Sequence, residues 1–289
     1  MKQLLEEILR DTPVVIDGAW GTQLQSLGLK PGECPDAWNE THPDLVEKVA
    51  RGYVEAGSRI ILTNTFGANR ISLERHGLAG KAVSINRSGA EISRRAAGDR
   101  AYVFASIGPT GKMLMMGEVT EDDLREAFTE QASALTAGGA HAIVIETMSD
   151  LAEAKIAVAA AVATGLPVVA SMVFDSGKNL DRTMMGTTPE QAAKELAEAG
   201  ADVIGANCGR GIEAYEPVCK RLRAATSLPI WIKPNAGLPD VVGGRTVYHT
   251  KAGDFAQHVP AIVKAGAQFI GGCCGTGPEF IQEVVKVLK

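Results

Sequence analysis

Ala199-Gly200-Ala201-Asp202-Val203-Ile204-Gly205-Ala206-Asn207-Cys208-Gly209 is the stretch that decides the fold. A helical pattern from Pro189 to Ala199 closes on Gly200, and glycine just past a helix end permits a left-handed cap. A short apolar run then leads from Val203 to Asn207 and gives way to a cysteine and a glycine. Uninterrupted apolar runs of this length suit strands that are covered on both faces.

The same unit recurs along the chain. Eight strand-like runs are Val14–Asp17, Arg59–Asn64, Val103–Ile107, Ala142–Glu146, Pro167–Val173, Val203–Asn207, Pro229–Lys233 and Gln268–Gly271. Helical periodicity separates them at Leu45–Ala56, Leu124–Ala137, Leu151–Ala163, Pro189–Ala199, Glu216–Ala225 and Phe255–Ala265. Glycines follow several of these helices, as in Ala56-Gly57 and Ala265-Gly266, and Thr188-Pro189-Glu190 reads as a helix start. Alternation of this kind fits either an open doubly wound sheet or a closed barrel. The count of eight favours a single (β/α)8 TIM-type barrel, α/β in class, over residues 1–289.

Bulk composition narrows the partners. The chain has 289 residues, 45% of them apolar, with 29 basic and 34 acidic side chains and a formal net charge of -5. No basic excess or stripe points to nucleic acid. Met1 to Arg10 is charged and has no apolar signal-peptide core. No run of about 18 apolar residues predicts a membrane span. Five cysteines are few and odd in number for a secreted disulfide scaffold, so a cytoplasmic location is expected.

In a barrel of this type the active groups gather at the carboxyl ends of the strands. Polar residues there are Asp17, Thr63-Asn64-Thr65, Glu146-Thr147, Asn207-Cys208, Lys233-Pro234-Asn235 and Cys273-Cys274. Cys208, Cys273 and Cys274 follow the sixth and eighth runs, and closure of the barrel brings them to one face. Three thiolates with a fourth position open match a catalytic Zn²⁺ site. Small buried cysteines and a redox dithiol are the alternatives, and three cysteines at two strand tips favour zinc. Cys34, in a loop, and Cys219, in a helix, read as structural.

Three thiolates leave such zinc electron-rich. It suits holding a substrate thiol as thiolate better than making hydroxide, which points to alkyl transfer onto sulfur. Glu146 can receive a substrate ammonium or act as a base, and Asp17 can do the same or serve as a cap. The turn Asp17-Gly18-Ala19-Trp20-Gly21-Thr22 can present backbone N–H groups to a carboxylate. Lys233 is either a supporting charge or a plain strand-end lysine. Asn64, Thr65, Asn207 and Asn235 can bond a ligand or its neighbours, or simply make turns. The five histidines show no ligand spacing, and His141 reads as structural at the opposite face.

Together these motifs resemble the homocysteine S-methyltransferase family over essentially the whole chain. The resemblance rests on Asp17-Gly18-Ala19-Trp20-Gly21-Thr22, Thr63-Asn64-Thr65-Phe66, Ile107-Gly108-Pro109-Thr110, Glu146-Thr147, Asn207-Cys208 and Gly271-Gly272-Cys273-Cys274-Gly275-Thr276. It implies a (β/α)8 barrel with Zn²⁺ on Cys208, Cys273 and Cys274. It also implies homocysteine as the fourth ligand, Glu146 on the amino group, and the Asp17-Gly18 turn and Thr65 near the amino-acid head. Lys233-Pro234-Asn235-Ala236-Gly237-Leu238-Pro239 is most similar to the homocysteine-binding barrel of cobalamin-dependent methionine synthase. Trp20 and Gly209-Arg210-Gly211 depart from that pattern.

The expectation is a zinc-dependent S-methyltransferase that converts homocysteine to methionine. The 289 residues hold no folate-binding or cobalamin-binding module and no Asp-x-His-x-x-Gly motif. A methyl-corrinoid protein is therefore the expected donor, so cobalamin enters only through a partner. A small sulfonium or ammonium donor is the other option. Two alternatives are a component of a corrinoid-linked demethylation system and a non-catalytic homocysteine- or zinc-binding subunit.

Overall fold

Side-chain parity along eight parallel strands organises the molecule. The computed structural model describes residues 2–242 and 245–289. Its barrel strands are β1 (Val14–Val15), β2 (Ile60–Ile61), β3 (Tyr102–Ile107), β4 (Ala142–Met148), β5 (Val168–Met172), β6 (Val203–Gly211), β7 (Ile230–Asn235) and β8 (Phe269–Ile270). Each pairs in parallel with its sequence neighbours from β2 through β8, and β8 pairs with β1. A bridge between Ile16 and Ile60 closes the ring, so the (β/α)8 barrel is observed.

Successive strand residues point to opposite faces. One set, including Ile61, Val103, Ile143, Val168, Ile204, Ile230 and Ile270, packs outward against the helices. The other set fills the barrel. Val14, Ile16, Ile60, Phe104, Val144, Val169, Trp231 and Phe269 form a separate internal cluster with Leu5 and Ile8. Those last two come from an amino-terminal helix, α1 (Gln3–Ile8), which seals the amino end of the barrel. Two residues further along the same inward faces stand Ser106, Glu146, Ser171 and Lys233. The interior thus changes from apolar to polar within one step along each strand.

The helices mostly follow the predicted order: α2 (Pro43–Ala56), α3 (Ala82–Ala97), α4 (Glu121–Ala137), α5 (Leu151–Val162), α6 (Pro189–Glu198) and α7 (Tyr215–Ala225). Gly57 takes a left-handed φ of 102° after α2, as its position predicts. The single helix expected over Phe255–Ala265 is two, α8 (Ala252–Ala256) and α9 (Val259–Lys264). Pro260 is the cause: it lacks an N–H and suits only a first helical turn. Apolar periodicity did not reveal α3 or the final helix, α10 (Pro278–Leu288). Among the described residues no helix is long and apolar enough to cross a membrane.

Candidate metal and acceptor site

Cys208, Cys273 and Cys274 meet at the carboxyl end of the barrel. Their sulfurs lie within 4.8 Å of one another, and those of Cys208 and Cys274 are 4.0 Å apart. A tetrahedral ion with metal–sulfur bonds of about 2.3 Å needs sulfurs roughly 3.8 Å apart, so the set fits a metal ion with little adjustment. Without a cation the thiols stay protonated. For Cys208 the Cys273 thiol pulls the pKa down, but Cys274 and burial push it up to about 12. Cys274 is drawn down by Cys208 and raised by Cys273, also to about 12. Cys208 drives Cys273 higher still. A bound divalent ion reverses this preference.

The backbone that presents these sulfurs is unusual. Cys208 has a left-handed φ of 64°, and Thr147, beside Glu146, has a φ of 62°. Such conformations in non-glycine residues persist where surrounding bonds enforce them. The Asn207 carboxamide supplies those bonds. Its Oδ1 accepts from the Thr147 N–H at 2.9 Å and from the Ser171 hydroxyl at 2.7 Å, and its Nδ2 donates to Thr147 Oγ1 at 2.7 Å. Asn235 ties the two cysteine-bearing tips together. It accepts from the Cys274 N–H at 3.0 Å and donates to the Gly209 carbonyl at 2.9 Å. The Tyr215 hydroxyl donates to the Cys208 carbonyl.

The glycines around the pair act partly as expected. Gly275 takes a left-handed φ of 83°. Gly272 is needed instead for close approach, because a Cβ there would lie 2.3 Å from Thr276 Oγ1.

The sulfurs border a cavity of about 540 Å³ that Glu146, Lys233, Gly18, Trp20 and Phe66 also line. Two acids stand near it in different states. Asp17 is fully buried and accepts three hydrogen bonds. It accepts from Lys233 Nζ at 2.6 Å, from Trp20 Nε1 at 2.8 Å and from the Leu62 N–H at 2.7 Å. Among the described residues Glu146 receives only the Ser106 hydroxyl. Burial raises its pKa, against the opposing pull of Lys233 and Ser106. For Lys233, burial acts downward, but Asp17, Glu146 and Cys273 outweigh it and the ammonium is held protonated.

Thr65 lies outside the cavity wall, and its hydroxyl donates to the Ser106 carbonyl at 2.7 Å. The structure therefore brings Gly18, Glu146 and the three cysteines to one cavity, and places Asp17, Thr65, Asn207 and Asn235 behind it as supports. Sequence reasoning passed over Ser106, although it stands at the tip of a predicted strand. It also read Cys34 as structural, yet that thiol lines the same cavity, 3.8 Å from Asp36 Oδ2. Asp36 accepts from the Gly67 N–H at 3.0 Å, and burial raises its pKa to about 6. Cys219 is buried in α7 as expected. His141 lies at the amino end, where its Nδ1 accepts from the Val103 N–H at 2.8 Å.

Comparisons with known proteins bear on the fold and the family. The methionine synthases of Mycobacterium tuberculosis and Mycobacterium leprae are each 32% identical over 303 residues, covering 98% of this chain. The chain spans about a quarter of the length of these relatives, 25% in each case. Among solved structures, the metallated form of the homocysteine methyltransferase MmuM from Escherichia coli superposes with a TM-score of 0.82 over 99% of both chains at 21% identity. The apo form of that protein gives a TM-score of 0.75 over 98% of both chains. These likenesses establish a shared fold. The homocysteine S-methyltransferase family model matches residues 14–288, and the chain belongs to that family.

Proposed function

We propose that this barrel domain, residues 1–289, transfers a methyl group onto the thiol of homocysteine to give methionine, with Zn²⁺ held by Cys208, Cys273 and Cys274. The observation that carries the reading is the convergence of three sulfurs beside a cavity that also exposes a carboxylate with an open oxygen. When bound there, Zn²⁺ supplies the charge that keeps an acceptor sulfur deprotonated at neutral pH.

The remaining work belongs to the chain's own groups. Glu146 receives the acceptor ammonium, and the turn at Gly18 faces its carboxylate. Asn207 and Asn235 hold the cysteine-bearing tips in register. Asp17 and Thr65 support these groups from behind, through Lys233 and Ser106. Fixing the nucleophilic sulfur against a docked donor removes much of the entropic barrier.

The donor in this reading is a methyl-corrinoid protein. Support comes from the methionine synthases, whose length is about four times the share that this chain matches. A reducing cytoplasm keeps the thiols available. The test offers homocysteine to zinc-loaded protein with methylcobalamin, S-methylmethionine, S-adenosylmethionine or betaine, one at a time. Methionine from methylcobalamin alone is expected. Methionine only from a sulfonium or ammonium donor would remove the corrinoid partner, and none from any donor would overturn the reading.

A further inference from the structure

We propose that Lys233 recognises the carboxylate of the acceptor, so that the site selects amino-acid thiols over thiols without an acid group. This rests on the thiol-acceptor reading above.

Lys233 is 2% exposed, yet it lines the cavity that holds the cysteines and Glu146. An ammonium carries three N–H donors. Among the described residues only one acceptor meets it, Asp17 Oδ1 at 2.6 Å. Its other two N–H groups have no protein acceptor and no hydrogen bond to a cysteine sulfur. Leaving donors of a buried charge unmatched is costly, so an oxyanion of the ligand is the natural complement.

Asp17 is the poorer partner for that ligand's ammonium, because it lies behind the cavity wall and already accepts from three donors. Glu146 can take it, since among the described residues Ser106 is its only donor. The cavity therefore offers the spare ammonium N–H donors of Lys233 and, among the described residues, one under-matched anion, Glu146. An α-amino acid carries the opposite pair on a single carbon. Lys233 also stands beside the turn expected to face the carboxylate, because Asp17, its partner, is the residue before Gly18. The salt bridge thus orients Lys233 and leaves its remaining donors for the ligand.

The test is calorimetric titration of the metal-loaded protein with homocysteine and with 3-aminopropane-1-thiol, its counterpart without the carboxylate. Wild type is expected to bind homocysteine at least about 30-fold more tightly. In Lys233→Met the homocysteine affinity should fall by a similar factor, while the aminothiol stays within about 3-fold of wild type. The double variant Asp17→Asn/Lys233→Met removes both charges together, and it should show the same loss of discrimination if the single variant folds poorly. Metal content and melting temperature are measured on each protein. Equal weakening of both thiols in the folded variants, or no discrimination by wild type, would overturn the assignment of Lys233. Failure of wild type to bind either thiol would instead overturn the acceptor reading on which it rests.

Discussion

The two ends of the barrel are built from the same strands and differ in almost every property. At the amino end, inward positions carry Ile16, Phe104, Val144, Trp231 and Phe269, capped by Leu5 and Ile8. The Trp231 ring lies nearly parallel to Phe104 at 6.0 Å and tilts against Phe269 at 5.5 Å. At the carboxyl end, the next inward positions are Ser106, Glu146, Ser171 and Lys233, beside three thiols. One strand step of about 7 Å separates the two regimes. The contrast shows how a fold can hold costly chemistry: buried charge and left-handed backbone sit directly on a dense apolar plug.

The sharpest way to break the contrast is at the cysteines. Cys273→Ser should lose stoichiometric metal and reduce activity by at least about 1000-fold, while the melting of the metal-free protein shifts by no more than about 1 kcal/mol. Metal analysis alongside calorimetry checks both halves. A variant that kept one ion per chain would show that the three sulfurs are not a functional set.

The converse applies at the plug. Trp231→Ala should destabilise the fold by about 3–5 kcal/mol in denaturant melts. Trp231→Phe should cost distinctly less. Among the described residues the buried Trp231 Nε1 has no hydrogen-bond partner, so its removal relieves an unmet donor. Equal losses in the two variants would mean that the plug is not the main source of stability at that end.

The smallest effect lies on the cavity wall, at Asp36. Its pKa in the fold is raised from 3.8 to about 6, chiefly by burial. An acid with a raised native value adds stability that is fully present below its unfolded pKa and lost as pH rises through its native one. Wild type should therefore forfeit up to about 3 kcal/mol from this group between pH 4 and pH 6. Asp36→Asn should remove that slope, because an amide oxygen can still accept the Gly67 N–H. Identical pH profiles in urea for the two proteins would rule out a buried charge at this position.

Much of this was legible in the sequence, and the reason is chemical contrast. A strand covered on both faces reads as an apolar run, so a polar residue at its end stands out, as Glu146 and Cys208 do. Helix α3 gave no such contrast. Its buried face carries Asn86 and Ser93, which break the apolar period while bonding backbone carbonyls of Ala68 and Leu62. The division of labour between the two acids was also hidden. Asp17 is paired because Lys233, distant in sequence, arrives from β7, and only the closed ring brings them within 2.6 Å. The break between α8 and α9 was in plain view at Pro260, but the periodicity on either side ran through it.

The seam of the barrel carries a consequence in time. Cys273 and Cys274 follow β8, the last strand laid down, which completes the ring against the first. The Gly272 N–H bonds the Asp17 carbonyl at 3.0 Å, and the Ala19 N–H bonds the Thr276 carbonyl at 2.9 Å. The three sulfurs meet once β8 has added beside β7, which itself stands beside β6, so Cys208 waits for the end of the chain. The sulfur set is thus completed by the last-made strand of the barrel, and the same segment joins the chain's end to its beginning at the seam.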